Sequence, residues 1–267
     1  ILFSVNHLPD TENIIFFLQP FRYSSAMNRL LNLLNTSIGR KLVVAVSGIF
    51  LLLFVVGHTL GNLTIYIGPS ALNSYAHWLQ QSPMLWLVRL GMLAIVLIHI
   101  WLGIKVTLEN RSARRIAYQA GTSLWRRLFD QRMLISGLFT FIFIVAHIAH
   151  LTLGTAADAS FYRIDERGFV DVYARLVNAF QNPAIAWSYI AAMLLVGIHL
   201  KHSVRALFQT TGFFHDNYFS LFEQLSWLIV LFVVIGLCSI PLAVQFGWLN
   251  YVVEQFFIPS FSASGLA

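Results

Sequence analysis

Five long apolar stretches dominate this chain and constrain its fold more than any other feature. They cover residues 42–67, 86–108, 133–155, 184–208 and 224–247 of 267. Each meets or exceeds the roughly 20 residues a helix needs to cross the hydrocarbon core of a bilayer. A segment in lipid has no water for its peptide groups and must satisfy them within itself, so helix is the expectation. The composition agrees: 10% of residues are charged, against about 25% in a soluble domain. An ordinary water-soluble enzyme and a disordered chain are both excluded. The expected class is an all-α membrane protein with five transmembrane helices.

The spans fill most of the chain, so one membrane domain, 27–250, is expected, with no soluble domain attached. No internal repeat or low-complexity tract stands out. Residues 1–26 form an N-terminal extension and 251–267 a C-terminal tail. The apolar run 14–18 is cut by Pro20 and is too short to span. No basic residue precedes it, so it is unlike a secretory signal. Met27 opens an amphipathic stretch that runs to Leu34, and it is a candidate natural start that would leave 1–26 outside the natural protein.

The few charges are unevenly placed. Arg22, Arg29, Arg40 and Lys41 precede the first span. Lys105 at the end of the second is followed by Arg111, Arg114, Arg115, Arg126, Arg127 and Arg132 before the third, and Lys201 and Arg205 lie at the end of the fourth. That puts thirteen of the seventeen basic residues on one side. Arg89, Arg163, Arg167 and Arg175 fall on the other side, with Asp158, Asp165, Glu166 and Asp171. The positive-inside rule then puts the N-terminus in the cytoplasm and the C-terminus outside a cytoplasmic membrane. The net charge of +6 is accounted for by topology, without a nucleic-acid surface.

Nine histidines among so few polar residues are unusual. His58 lies in the first span, His99 in the second, His147 and His150 in the third, His199 and His202 in the fourth. The fifth has none. His77 follows the first span, and His7 and His215 lie outside the spans. A single buried histidine often does no more than hydrogen-bond a neighbouring helix. Four helices that each carry one are harder to explain that way, because polar groups at that depth are costly and mark function.

Depth groups them. At 1.5 Å per residue from the nearest basic residue, His58 is about 26 Å in and His147 about 22 Å, whereas His99 and His199 are about 9 Å in. Two levels, each with two imidazoles from different helices, is what two bis-histidine haems require. The pairing expected from depth is His58 with His147 at the outer level and His99 with His199 at the inner one. Depth does not separate His147 from His150, but it favours His199 over the shallower His202. Gly57, Gly61, Gly103 and Gly197 lie beside the candidates and would let helices approach a flat macrocycle.

Other metal chemistry fits less well. Carboxylate-bridged di-iron sites need glutamates in the bundle core, and the interiors of the first four spans have no acidic residue. Zinc asks for three or four ligands at one depth. The single cysteine, Cys238, cannot build an iron–sulfur cluster or a CxxCH haem attachment.

These residues resemble a known family. Thr36-Ser37-Ile38-Gly39-Arg40-Lys41 before the first span, Gly57-His58-Thr59-Leu60-Gly61-Asn62-Leu63 within it, and Leu72-Asn73-Ser74-Tyr75-Ala76-His77-Trp78-Leu79 after it carry the likeness. His99 ahead of Gly103, Ala146-His147-Ile148 and Ile198-His199-Leu200 extend it. The order is similar, over residues 28–247, to the single-polypeptide, five-helix, two-haem cytochrome b subunit of succinate dehydrogenases and quinol:fumarate reductases.

The resemblance implies two haem b groups, with His58, His99, His147 and His199 as axial ligands to the iron. It selects His147 over His150 and His199 over His202. It implies a flavoprotein and an iron–sulfur partner on the cytoplasmic face, and electron transfer between succinate chemistry and membrane menaquinone or ubiquinone. The chain has no dinucleotide-binding glycine motif or cysteine cluster, so the flavin and iron–sulfur groups belong to the partners. By similarity of position, Ser37 and Arg40 are quinone candidates at the inner face. Tyr75 and His77 are candidates at the outer face, where His77 could equally serve to order its loop. His150 and His202 could support the ligands from behind, and Lys201 and Arg205 could meet haem propionates. The basic loop 111–132, with Arg40 and Lys41, is the candidate docking surface, unless those charges only set orientation. A cytochrome b of a hydrogenase, formate dehydrogenase or ferric reductase, or a haem-free membrane protein, are the alternatives.

Overall fold

In the computed structural model the described residues are 35–112, 132–155, 159–210, 212 and 218–250. The extension 1–26, Met27, the basic residues Arg114, Arg115, Arg126 and Arg127, His7, His215 and the tail 251–267 lie outside them. The chain divides at residue 40 into two units. The described part of the first is the beginning of α1 (Ser37–Leu63), where the Gly39 N–H donates to Thr36 Oγ1 at 3.0 Å. That bond satisfies one of the donors a helix start leaves open.

Within the second unit, α1 continues to Leu63 and a 3₁₀ turn, Thr64–Tyr66. Then come α2 (Pro69–Gln81), α3 (Leu85–Ser112), α4 (Arg132–His147), α5 (Val172–Gln181), α6 (Pro183–Thr210) and α7 (Phe219–Gln245). Five helical segments are long and apolar enough to cross a membrane: Ser37–Tyr66, Leu85–Ser112, Arg132–Thr152, Pro183–Thr210 and Ser220–Gln245. The protein is all-α: among the described residues the only β pairing is a single bridge, Ile164 with Val170. The first span starts five residues earlier than hydropathy indicates, because Ser37, Gly39, Arg40 and Lys41 form the polar first turns of an otherwise apolar helix.

Large apolar side chains such as Phe50, Leu53, Leu90, Trp101 and Leu138 point outward along α1, α3 and α4, as expected of surfaces that face lipid. Trp78, Trp86, Trp187 and Trp248 are all exposed where helices meet the loops of one end, in the manner of an interfacial aromatic belt.

That end is capped. α2 lies between the first two spans and α5 between the third and fourth. Leu72 of α2 joins Tyr173, Leu176, Val177 and Phe180 of α5 in a core that also takes in Ile240, Ala243 and Val244 of α7. Local chemistry sets both helix starts. Gly68, at φ 130°, turns the chain into Pro69 at the head of α2, and the Asp171 carboxylate accepts the Ala174 N–H at 3.0 Å. Asn73, 1% exposed, ties the two helices together. Its amide donates to Asp171 Oδ1 at 3.0 Å, and its carbonyl accepts the Tyr173 N–H at 3.0 Å.

Arg167 completes the cap, donating to Ser70 Oγ, Ser74 Oγ and Asp165. Desolvation pushes the Asp165 carboxyl up, but the Arg167 guanidinium and the N–H groups of Phe169 and Arg167 outweigh it and hold it below its usual value of 3.8. A depressed carboxylate stabilises above its unfolded pKa, and that contribution is lost as pH falls through the folded pKa. The wild-type cap should therefore loosen below about pH 4. Asp165→Asn should be looser at neutral pH and should lack this acid step, as read by hydrogen exchange of 159–181 between pH 3 and 7.

Candidate functional site

The histidines gather at two levels, separated along the helices. At the capped end, the rings of His58 (α1) and His147 (α4) have centres 5.9 Å apart and planes at 89°. Two imidazoles on opposite sides of one metal ion, each bound through nitrogen at about 2 Å, have ring centres about 6 Å apart. His147 Nδ1 is buried and has no hydrogen-bond partner among the described residues. A buried polar atom in that state costs on the order of 1–3 kcal/mol. The Asn62 amide nitrogen lies 3.2 Å from His58 Nε2 and donates to the His58 carbonyl at 2.8 Å. With the amide donating to the ring as well, Nε2 keeps its lone pair, and Asn62 must swing aside for that nitrogen to bind a metal. Donor type and spacing at this level fit a bis-histidine haem.

At the other end, His99 (α3) and His199 (α6) meet matched positions of α1 and α4, residues 47 and 136, each eleven residues ahead of a histidine of the first pair. Each is held by a serine of the preceding span. Ser47 Oγ (α1) is 3.0 Å from His99 Nδ1 and donates to the carbonyl of Val43 at 2.8 Å. Ser136 Oγ (α4) is 3.2 Å from His199 Nδ1 and donates to the Met133 carbonyl at 3.2 Å. The next residue is glycine both times. A Cβ on Gly48 would lie 3.3 Å from His99 Cε1, and one on Gly137 would lie 3.2 Å from His199 Cε1. Both contacts are tighter than ordinary packing, so these glycines give the rings their room.

The chain thus contains a repeat that its overall dissimilarity hides. Ser47-Gly48 precedes His58, and Ser136-Gly137 precedes His147, at the same spacing, with Phe50 and Phe54 matched by Phe139 and Phe143. Gln81-Ser82-Pro83, His99 and Lys105 are matched by Gln181-Asn182-Pro183, His199 and Arg205, each one hundred positions on. Each half runs span, cap helix, span. Ser47 touches the ring of one level and His58 belongs to the other, so the levels lie about 16 Å apart along α1. The same holds for Ser136 and His147 on α4.

Compared with known proteins, the chain matches no family model, no curated protein and no solved structure.

The remaining candidates are placed as follows. His150 faces Tyr189, with Nδ1 2.9 Å from the hydroxyl. It sits in a π-helical turn, Ile148–Thr152, which alters the angle between it and His147. His202 Nδ1 donates to its own helix, to the Ile198 carbonyl at 2.7 Å. Lys201 pairs with Glu223 of α7, donates to Ser226 Oγ at 2.8 Å and lies over the Trp227 ring, so its charge is already matched. Arg205 is exposed near the same carboxylate.

The Tyr75 ring packs on α1, where a Cβ at Gly61 would lie 2.5–2.8 Å from its atoms. His77 stacks on Phe169 with ring centres 3.7 Å apart, a contact that orders the cap. Ser37 and Arg40 lie in the first turn of α1. Of the glycines thought to admit a macrocycle, Gly61 instead admits Tyr75 and Gly197 admits Val234 of α7, whereas Gly57 and Gly103 have nothing within 4 Å.

Tyr189 escaped the sequence reading. Its ring touches Phe143, His147 and Phe180 as well as His150. Nothing in the sequence distinguishes it from other interfacial tyrosines. Ser47 and Ser136 were also missed, and the repeated Ser-Gly ahead of a histidine was the available signal.

Proposed function

We propose that the chain is the di-haem cytochrome b subunit of a succinate:quinone oxidoreductase. The observation that carries this is the ring pair of His58 and His147, with its orphaned His147 Nδ1, above a second level where His99 and His199 meet the matched Ser47 and Ser136. His58 and His147 would hold one haem, and His99 and His199 the other. Bound there, haem supplies one-electron transfer across the width of the membrane.

The protein's own part is to hold the imidazoles at fixed depth in an apolar surround. The neutral ring leaves a nitrogen lone pair for the iron. The motif likeness around His58 and Tyr75 is what favours a succinate-linked complex over a hydrogenase, formate dehydrogenase or ferric reductase.

In this reading the basic end faces the cytoplasm and docks the iron–sulfur and flavin-bearing partners, so the chain contributes quinone chemistry but not succinate oxidation. Menaquinone or ubiquinone would react near a membrane face, where its carbonyls meet polar groups and protons reach water. Ser37 and Arg40 offer this at the basic end. At the capped end Tyr75, which packs on α1 at Gly61, one turn beyond His58, is better placed than His77, whose ring is taken by Phe169.

Gentle purification from native membranes, with assays for flavin, non-haem iron and haem, tests the assignment. Flavin and iron–sulfur partners should accompany the chain, and haem without flavin would move it to another class of cytochrome b. Glutamate at both Arg114 and Arg115 should reduce the co-purified flavin several-fold while leaving membrane insertion intact. Unchanged flavin recovery would remove this loop from the docking surface.

A further inference from the structure

We infer that Ser47 and Ser136 are positioning residues that set the tautomer of His99 and His199, so that this level is chemically ready for a metal before one arrives. The inference rests on the haem reading for its purpose, but the hydrogen bonds that carry it are independent of that reading. A serine hydroxyl has one proton. Ser47 Oγ gives it to the backbone of its own helix, to Val43 at 2.8 Å with Val44 at 3.0 Å. With that proton on the backbone, the oxygen accepts from His99 Nδ1 at 3.0 Å. Nδ1 then carries the hydrogen, and Nε2 is left with the lone pair. Ser136 offers the same arrangement to His199, with the Met133 carbonyl and His199 Nδ1 both 3.2 Å from its oxygen. Gly48 and Gly137 let each ring come that close.

The device is built twice, on helices 89 residues apart in sequence and at one spacing from His58 and His147. A lone serine bonded to its own helix is common in membrane helices, and by itself would indicate nothing. Two serines, each followed by a glycine that admits the ring and each meeting the same nitrogen of a paired histidine, form a matched set. The nitrogen opposite a metal-binding one is commonly held by an acceptor, which orients the ring and raises its basicity; loss of that partner typically costs about 10–100-fold in metal affinity.

The test uses the full chain in detergent, labelled at the histidine nitrogens, prepared both with haem supplied and with haem withheld. Ser47→Ala, Ser136→Ala and the two threonine variants are compared with wild type, and His99 and His199 are assigned by single substitution. Without haem, both histidines should carry the proton on Nδ1. Each alanine should move one of them to a mixture of tautomers, and threonine should restore it. With haem, each alanine should raise one reduction midpoint, because a less basic imidazole stabilises ferric iron less, and should weaken retention of one haem about tenfold or more.

Alanine variants with unchanged histidine nitrogens would overturn the inference even if the chain binds two haems. A chain that takes up no haem would overturn the functional reading, while the tautomer shift would still decide the role of the serines.

Discussion

Alanine at His58 or at His147 should leave the purified chain with one haem in place of two, and alanine at His99 or His199 should remove the other. A haem held by two histidines would lose half its protein bonds with either one, and the helix concerned would lose its tether to the group. The two levels stand about 16 Å apart along α1 and α4, so a vacancy at one leaves the other's ligands in place. The controls carry as much weight as the losses. His150 is bonded to Tyr189 and His202 to its own helix, so alanine at either should retain both haems. Haem per chain, by absorbance of the extracted pigment against protein, is the measurement. A His150→Ala variant that loses a haem, beside a His147→Ala variant that keeps both, would show that the third span uses the other histidine.

Replacing Asn73 should loosen the capped end more than any other single change in the loops. Leucine there removes the acceptor of the buried Tyr173 N–H and the amide that faces Asp171. An orphaned buried donor costs about 1–3 kcal/mol and a lost bond to a charged group about 1.5–3 kcal/mol. A loss of roughly 3 kcal/mol is expected after partial relaxation. Aspartate tests the same site with nearly the same shape. Its carboxylate would stand 3.0 Å from Asp171 Oδ1 and 3.4 Å from Asp165 Oδ2, where the amide nitrogen now lies. Like charges so close raise one another's pKa, so Asn73→Asp should be the less stable variant at pH 7 and should recover as pH falls toward 5. Asn73→Leu should show no such recovery. Thermal midpoints in detergent and hydrogen exchange of 172–181 read both effects.

The five spans were legible because a membrane makes a simple demand, an apolar run of fixed length, and the chain meets it five times. Grouping the histidines was legible for a related reason. Helix rise converts sequence distance into depth; His58 meets His147 ring to ring, and His99 and His199 meet the matched Ser47 and Ser136, eleven residues ahead of that pair.

The cap helices were not legible. Residues 69–81 and 172–181 are short and amphipathic, and their positions depend on Asn73 and Asp171, polar residues whose importance appears only when their partners are across the fold. The support of the inner histidines was missed because a serine in a membrane helix ordinarily bonds its own backbone, as Ser47 and Ser136 also do. Only the second contact of each hydroxyl, and the repeat linking the two, sets them apart. The pairing of Lys201 with Glu223 was not legible because Glu223 falls just before the fifth apolar stretch, where hydropathy placed the loop.

The central claim is that this chain binds two haems through four histidines of four helices. The most direct test is the reduced-minus-oxidised absorption spectrum of the chain purified from haem-replete membranes, with haem quantified against protein. Two b-type haems per chain are expected, with two resolvable midpoints on titration. A chain that folds, inserts and purifies without a haem b band would contradict the account.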